Sequence, residues 1–279
     1  MKAGFIGLGQ MGGPIAVRLA QCGFEVTGCD ISPETLGAFD EPGTHREADP
    51  LATARAAGGM LGVCVRTDAQ LESLAGDGAL FAALGQGGTF ILHSTVEPAL
   101  ARRLAVKAAE HGIGFIDVGV SGGGAVALEG ALSLFVGGDE AVVARARPWL
   151  DAIGRVSHLG PVGRGMEAKL LNNLVSIANY GMSAAIVELG EKLNFDRQQL
   201  IDALMAGSAQ SFALKVGPGM VQPRGDDPQA YFASLHDLLK KDVDHARILT
   251  DPSDPALQAL LASCESMLDG IKRAAAGAG

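Results

Sequence analysis

The chain has 279 residues, 48% of them hydrophobic, with 39 glycines and a formal net charge of −9 at pH 7. That length supports one large or two medium domains with ample core, and the composition excludes a disordered chain. The acidic balance and scarce aromatics argue against nucleic acid, whose phosphates need clustered Lys and Arg and whose unpaired bases need stacking faces.

A small anionic substrate stays compatible with this charge, because its site needs only two or three local donors. Cys22, Cys29, Cys64 and Cys264 form no C-x-x-C pair, and the six histidines form no H-x-x-x-H pair, so no metal site is expected. The N-terminus lacks a cleavage pattern, and no uninterrupted apolar run reaches the roughly 20 residues of a membrane span. A soluble cytoplasmic protein with no membrane partner is the expectation.

Ala3 to Ile6 reads as a buried parallel strand. Gly7, Gly9 and Gly12 follow at the spacing G-x-G-x-x-G, ahead of the helical periodicity of Ile15, Val17, Leu19 and Ala20. In that context the first glycine allows a tight turn, the second lets a pyrophosphate approach the backbone, and the third lets helix and strand pack closely. The helix start then offers N–H groups and a positive dipole end to the phosphates. A second strand, Phe24 to Cys29, ends at Asp30, where such a fold places the carboxylate that binds the adenosine ribose. Residue 31 is Ile and not a base, so a 2′-phosphate would meet the charge of Asp30 uncompensated; NAD is favoured over NADP. Arg46 is the nearest downstream base. Ser32 and Pro33 read as N-cap and first residue of a helix.

Further strands are expected at Gly59–Val65, Gly88–His93, Gly114–Val118, Ala131–Val136 and Val156–Leu159, with a helical stretch over 71–84. Their alternation predicts a doubly wound parallel sheet, with ligands beyond the carboxyl ends of its strands, where Val65, Arg66 and Thr95 fall. Ser94 and Thr95 serve equally well as caps for a helix near Pro98. Gly119 to Gly124 is a loop of small residues around Ser121, able to hold a carboxylate by backbone donors or simply to connect two elements. Gly160-Pro-Val-Gly-Arg-Gly165 is a punctuated break that predicts a boundary between residues 1–162 and 163–279.

Beyond it the period becomes helical. Met166 to Lys192 carries Leu170, Leu174, Ile177 and Ala178 at helical spacing and predicts a long, mostly buried helix. Lys169 and Asn173 share one of its faces, beside Asn172. Desolvation there would lower a lysine's pKa and suit it to acid/base work; a snorkelling lysine paired with Glu167 or with a loop carbonyl fits the same pattern. Helices are expected over 196–205, 231–250 and 255–274, with turns at Gly217-Pro-Gly and at 223–228. Lys240, Lys241 and Asp242 read as a solvated charged face.

In order, Gly-Leu-Gly-Gln-Met-Gly12, Asp117-Val-Gly-Val-Ser-Gly-Gly-Gly124 with Glu129-Gly-Ala-Leu132, Gly163-Arg-Gly-Met-Glu-Ala-Lys-Leu-Leu-Asn-Asn173 and Lys241-Asp242 resemble the motifs of the β-hydroxyacid dehydrogenase family. The resemblance covers nearly the whole chain. It implies a Rossmann-type α/β domain, a long connecting helix and an all-α second domain. It also implies hydride transfer between NAD and a small 3-hydroxy acid or its semialdehyde or keto acid. Carried over by position, Lys169 would be the general acid/base, Asn173 would orient the substrate, and Ser121, Gly122 and Gly123 would hold its carboxylate. Gly7, Leu8, Gly9, Gln10, Met11, Gly12, Asp30, Val65, Arg66, Thr95 and Lys241 would contact the cofactor.

The chain departs from the family at His93, where Asp or a small residue is common, at Arg66, and over 208–232. Substrate choice is therefore open. Reduction of another small carbonyl or an imine is the alternative, as is a non-catalytic dinucleotide-binding protein; Lys169 weighs against imines. A long apolar helix needing more cover predicts a homodimer or homotetramer.

Overall fold

The structure is a computed structural model that describes residues 1–220, 227–249 and 251–277. Two compact units divide at residue 169, Met1–Lys169 and Leu170–Gly279.

In the first unit, runs of β-branched and aromatic residues build one eight-stranded sheet: β1 (Lys2–Ile6), β2 (Glu25–Cys29), β3 (Thr44–Arg46), β4 (Met60–Val63), β5 (Thr89–Leu92), β6 (Gly114–Ser121), β7 (Leu132–Gly138) and β8 (Gly154–His158). Their spatial order is β3-β2-β1-β4-β5-β6-β7-β8. All pairs are parallel except β6 with β7, which is antiparallel. The seven expected strands are all present, shifted by a few residues at their ends. β3 was not expected, because three half-polar edge residues carry no apolar signal. The order reverses between β1 and β4, and the crevice outside their carboxyl ends is where such a sheet binds ligands.

Helices α1 (Gly12–Gln21), α2 (Pro33–Ala38), α3 (Pro50–Ala56), α4 (Asp68–Ala75), α5 (Ala79–Leu84), α6 (Pro98–Glu110), α7 (Gly123–Leu128) and α8 (Glu140–Ile153) cover the sheet. The Ser32 side chain caps α2 by accepting from Thr35 N at 3.2 Å, as its sequence position predicts. The single expected stretch over 71–84 is instead two helices, split where Gly78 takes a positive φ of 83°. One core face is centred on Trp149, stacked on Phe5 with ring centroids 5.8 Å apart. Gly62 makes room for it: a Cβ there would lie 2.5 Å from the indole ring. His93 is buried in the same stack, and its Nε2 accepts from Trp149 Nε1 at 3.2 Å.

α9 (Arg164–Lys192) is one continuous helix of 29 residues. In the second unit it is followed by α10 (Arg197–Ala206), α11 (Phe212–Met220), α12 (Pro228–Ala246) and α13 (Pro255–Gly277). Leu170, Leu174, Ile177 and Ala178 of α9 pack with Phe232 and Val243 of α12 and Leu261, Cys264 and Leu268 of α13. A smaller cluster joins Val187, Ile201 and Leu214. The expected turn at Gly217-Pro-Gly lies instead inside α11, whose first turn buries Ala213 and Leu214. The turn expected over 223–228 falls mostly outside the described residues.

The expectation that α9 is mostly buried does not hold. Leu171, Val175, Met182, Ile186 and Leu189 are each 44–53% exposed, so one stripe of the helix lies open within this chain. By length and mean hydropathy α9 is also the one described helix that could cross a membrane, although its opposite stripe belongs to the core of the second unit.

Candidate active site

The glycine loop after β1 shows which of its glycines serve the fold and which the ligand. A Cβ on Gly7 would collide with the Cys64 carbonyl, and one on Gly12 with the Gly7 carbonyl; a Cβ on Gly9 would meet nothing within 4 Å. Gly7 and Gly12 therefore close the turn and seat α1, while Gly9 leaves an open approach to the backbone beside Gln10 and Met11. Leu8 turns its side chain into the core and donates its N–H to Asp30 Oδ2 at 2.7 Å. The other oxygen of Asp30 accepts from Ser32 N at 2.8 Å. The ribose-type carboxylate is thus locked onto the phosphate-type loop. These residues fit a dinucleotide.

Arg46 points elsewhere. Its guanidinium donates to the Gly37 carbonyl at 2.9 Å and pairs with Asp40 at 3.2 Å. Ile31, next to the carboxylate, is almost wholly exposed.

Across the switch point, Val65 follows β4 and its N–H donates to the buried Ser94 hydroxyl at 2.7 Å. Neither Ser94 nor Thr95 caps α6, whose N-cap residue is Glu97. The cap reading fails for both, and Ser94 instead ties the ends of β4 and β5 together. Thr95 is half-buried after β5; Arg66 is exposed, its N–H held by Gln70 Oε1 at 2.9 Å.

β6 ends at Ser121, and Gly122 and Gly123 take positive φ values of 143° and 83° at the start of α7. A Cβ on the next residue, Gly124, would lie 2.9 Å from the Gln10 carbonyl, so this small-residue loop sits directly against the dinucleotide loop. Lys169 lies in the second turn of α9, half-buried. Its stem packs on β6: a Cβ on Gly119 would be 2.5 Å from Lys169 Cβ. Glu167, one of the two partners open to a snorkelling lysine, pairs with Arg102 and with Arg164.

In the second unit, Asn173 is one turn further along α9. Its Nδ2 donates to Asp242 Oδ2 at 2.6 Å, and its Oδ1 accepts from Asn172 at 3.1 Å. Asp242 is buried, with Lys241 Nζ 3.5 Å from its other oxygen. The solvated-face reading of residues 240–242 holds for Lys240, which pairs with Asp244, and fails for Asp242.

Residues 2–185 match the family model of the NAD binding domain of 6-phosphogluconate dehydrogenase. Residues 163–278 match that of the NAD-binding domain of NADP-dependent 3-hydroxyisobutyrate dehydrogenase. The chain belongs to the β-hydroxyacid dehydrogenase family. It is 33% identical over 245 residues to the 3-hydroxyisobutyrate dehydrogenase of Pseudomonas aeruginosa, covering 86% of this chain and 82% of that protein. It is also 33% identical over 221 residues to the 2-hydroxy-3-oxopropionate reductase of Escherichia coli, covering 77% and 74%. The solved 3-hydroxyisobutyrate dehydrogenase of Mycobacterium tuberculosis with L-serine superposes with a TM-score of 0.77 at 25% identity, covering 99% of this chain and 94% of that one. This chain is accordingly an NAD(P)-dependent oxidoreductase of hydroxy acids.

Two polar residues escaped the sequence reading of the site. Asp242 is visible only as the second half of the Lys-Asp pair, and its burial against Asn173 needs the fold. Asp117 opens the small-residue motif but carries no local sign of what it binds.

Proposed function

We propose that this enzyme interconverts a small 3-hydroxy acid and its semialdehyde, with NAD as its preferred cofactor and Lys169 as the group that carries the proton. One observation supports this above the others. A single strand, β6, seats the Lys169 stem at Gly119 and ends in the Ser121–Gly123 loop, which packs against the dinucleotide loop. The groups read as proton carrier and carboxylate donors are thereby held on one rigid element, beside the dinucleotide loop that β1 and α1 build, as acid/base chemistry requires.

When bound, the nicotinamide accepts or donates the hydride. The chain's part is to hold the substrate carboxylate at Ser121, Gly122 and Gly123, to keep the Asn173 amide oriented through Asn172 and Asp242, and to exchange a proton between Lys169 Nζ and the substrate oxygen. Thr95, Val65, Arg66 and Lys241 take the cofactor-facing roles that the family motifs give those positions. Preference for NAD rests on Asp30 and on Arg46, which is tied to Gly37 and Asp40.

Initial rates with NAD+ and NADP+ on 2-, 3- and 4-hydroxy acids test this, with the semialdehydes and keto acids run in reverse. The expected result is fastest turnover of a 3-hydroxy acid, with kcat/KM at least tenfold higher for NAD+. Faster NADP+-linked turnover would remove the cofactor preference, and preference for a 2-hydroxy acid the substrate class.

We also infer a homodimer or a homotetramer built on it, because Leu171, Val175, Met182, Ile186 and Leu189 line one exposed apolar stripe of α9 that a second copy would cover. Light scattering at micromolar concentration should return at least twice the 28.5 kDa chain mass. A monomer mass would contradict it. The reduced thiols of Cys22, Cys29 and Cys264 support a reducing cytoplasmic location, which cell fractionation would check.

A further inference from the structure

The first N–H groups of a helix have no partner within it. At the start of α9, two N–H groups find one carboxylate: Gly163 N donates to Asp117 Oδ1 at 2.8 Å and Met166 N to Asp117 Oδ2 at 2.7 Å. Asp117 is not a residue of the helix or its flank. It sits in the middle of β6, fully buried, between Leu92 of β5 and Gly137 of β7. Burial pushes its carboxyl above the ordinary carboxylate range, against the pull of the two N–H bonds. A Ser, Thr or Asp at the N-cap itself would satisfy such groups at the surface without desolvation. Asp117 does something a local cap cannot: it fastens the helix start to a central strand.

Three glycines let the elements come that close. A Cβ on Gly165 would collide with the Asp117 carbonyl, one on Gly137 with the Asp117 carboxylate, and one on Gly119 would lie 2.5 Å from Lys169 Cβ and 3.1 Å from its Cγ. The strand that grips the first turn of α9 at residue 117 therefore bears on the Lys169 stem at residue 119. Positions 117 and 119 share one face of β6, as the period of a strand requires.

We propose that Asp117, together with the bare backbone of Gly119, is a positioning device for Lys169: the carboxylate sets the height and rotation of α9 on β6, and the glycine sets how closely the lysine stem approaches. This rests on the reading of Lys169 as proton carrier. A displacement of about 1 Å at a reacting group costs on the order of 100-fold in rate, so the device governs kcat and leaves cofactor affinity alone.

Asp117→Asn keeps the volume and one acceptor but turns an NH2 toward the second N–H. Using NAD+ and the 3-hydroxy acid turned over fastest in the panel above, kcat should fall at least tenfold, with NADH affinity within twofold of wild type by fluorescence titration. Amide hydrogen exchange should accelerate at least tenfold over residues 163–169 and stay unchanged in β1. In a Lys169→Ala background the same substitution should change the residual rate less than twofold, since there is no amine left to position. Wild-type kcat in Asp117→Asn, or an equal loss in both backgrounds, would overturn the proposal. Gly119→Ala, which keeps the carboxylate and both hydrogen bonds, carries the test where the Asp117 variant does not fold. It should lower kcat at least tenfold with NADH still bound, and wild-type turnover would again overturn the device. A Lys169→Ala variant that turns over normally would instead strike the reading of Lys169 itself.

Discussion

Lys169→Ala is expected to lower kcat by about 10³-fold, in the middle of the range for a positioned acid/base group, while NADH binds within twofold of wild type. The two effects separate because Lys169 projects from α9, whereas the glycine loop and Asp30 are built by β1, α1 and β2. Folding should survive, since Lys169 is half-buried, and the Gly163 and Met166 N–H bonds that hold the start of α9 do not involve its side chain. Lys169→Arg distinguishes charge from proton transfer. Arginine keeps the positive charge but does not release its proton near neutral pH, so it should fail almost as badly as alanine. Steady-state rates and a fluorescence titration on the same preparations decide the matter. Arginine activity within tenfold of wild type would make Lys169 an electrostatic group only.

The second large effect concerns stability. His93 is buried against both Phe5 and Trp149, and burial pulls its pKa from 6.5 down to about 4. The folded ring stays neutral while the unfolded chain takes up a proton. Its contribution is therefore complete above pH 6.5 and is lost as pH falls through the window from 6.5 to 4. At 1.36 kcal/mol per pKa unit the whole window amounts to about 3 kcal/mol, of which about 2 should be gone by pH 5. Urea unfolding of the wild type and of His93→Gln at pH 7.5 and 5 measures this. Glutamine can still accept from Trp149 Nε1 but does not titrate, so the wild type should lose about 2 kcal/mol more than the variant over that interval. Equal losses would mean that the histidine accepts its proton in the folded chain.

His93 also illustrates where reading from sequence stops. In sequence it is a family departure beside the Ser94-Thr95 pair, open to a role in the site. In the fold its ring belongs to the Trp149 stack, 56 positions away in the chain. Ser94 follows the same pattern. A hydroxyl after a strand reads as a cap or a ligand contact, and only the pairing of β4 with β5 shows that it holds Val65 N–H.

What the sequence determined by itself was local or periodic. The glycine spacing at Gly7, Gly9 and Gly12 follows from backbone sterics within one turn, and the Asp30 carboxylate follows from a strand ending beside that turn. Apolar runs of four to seven residues marked the seven longer strands, and the 3.6-residue period marked α9 with Lys169 and Asn173 one turn apart. Tertiary structure decided what depends on distant partners. It showed the three-residue edge strand β3, whose polarity hides it, and the antiparallel pairing of β6 with β7. It also divided the polar run 240–242 into an exposed Lys240 and a buried Asp242. A carboxylate in mid-strand at Asp117 looks like a breach of the apolar pattern until α9 comes to rest on it. The reason is common to all of these: propensity and periodicity act over a few neighbouring residues, whereas burial and hydrogen-bond partners are set by chain segments tens of residues away.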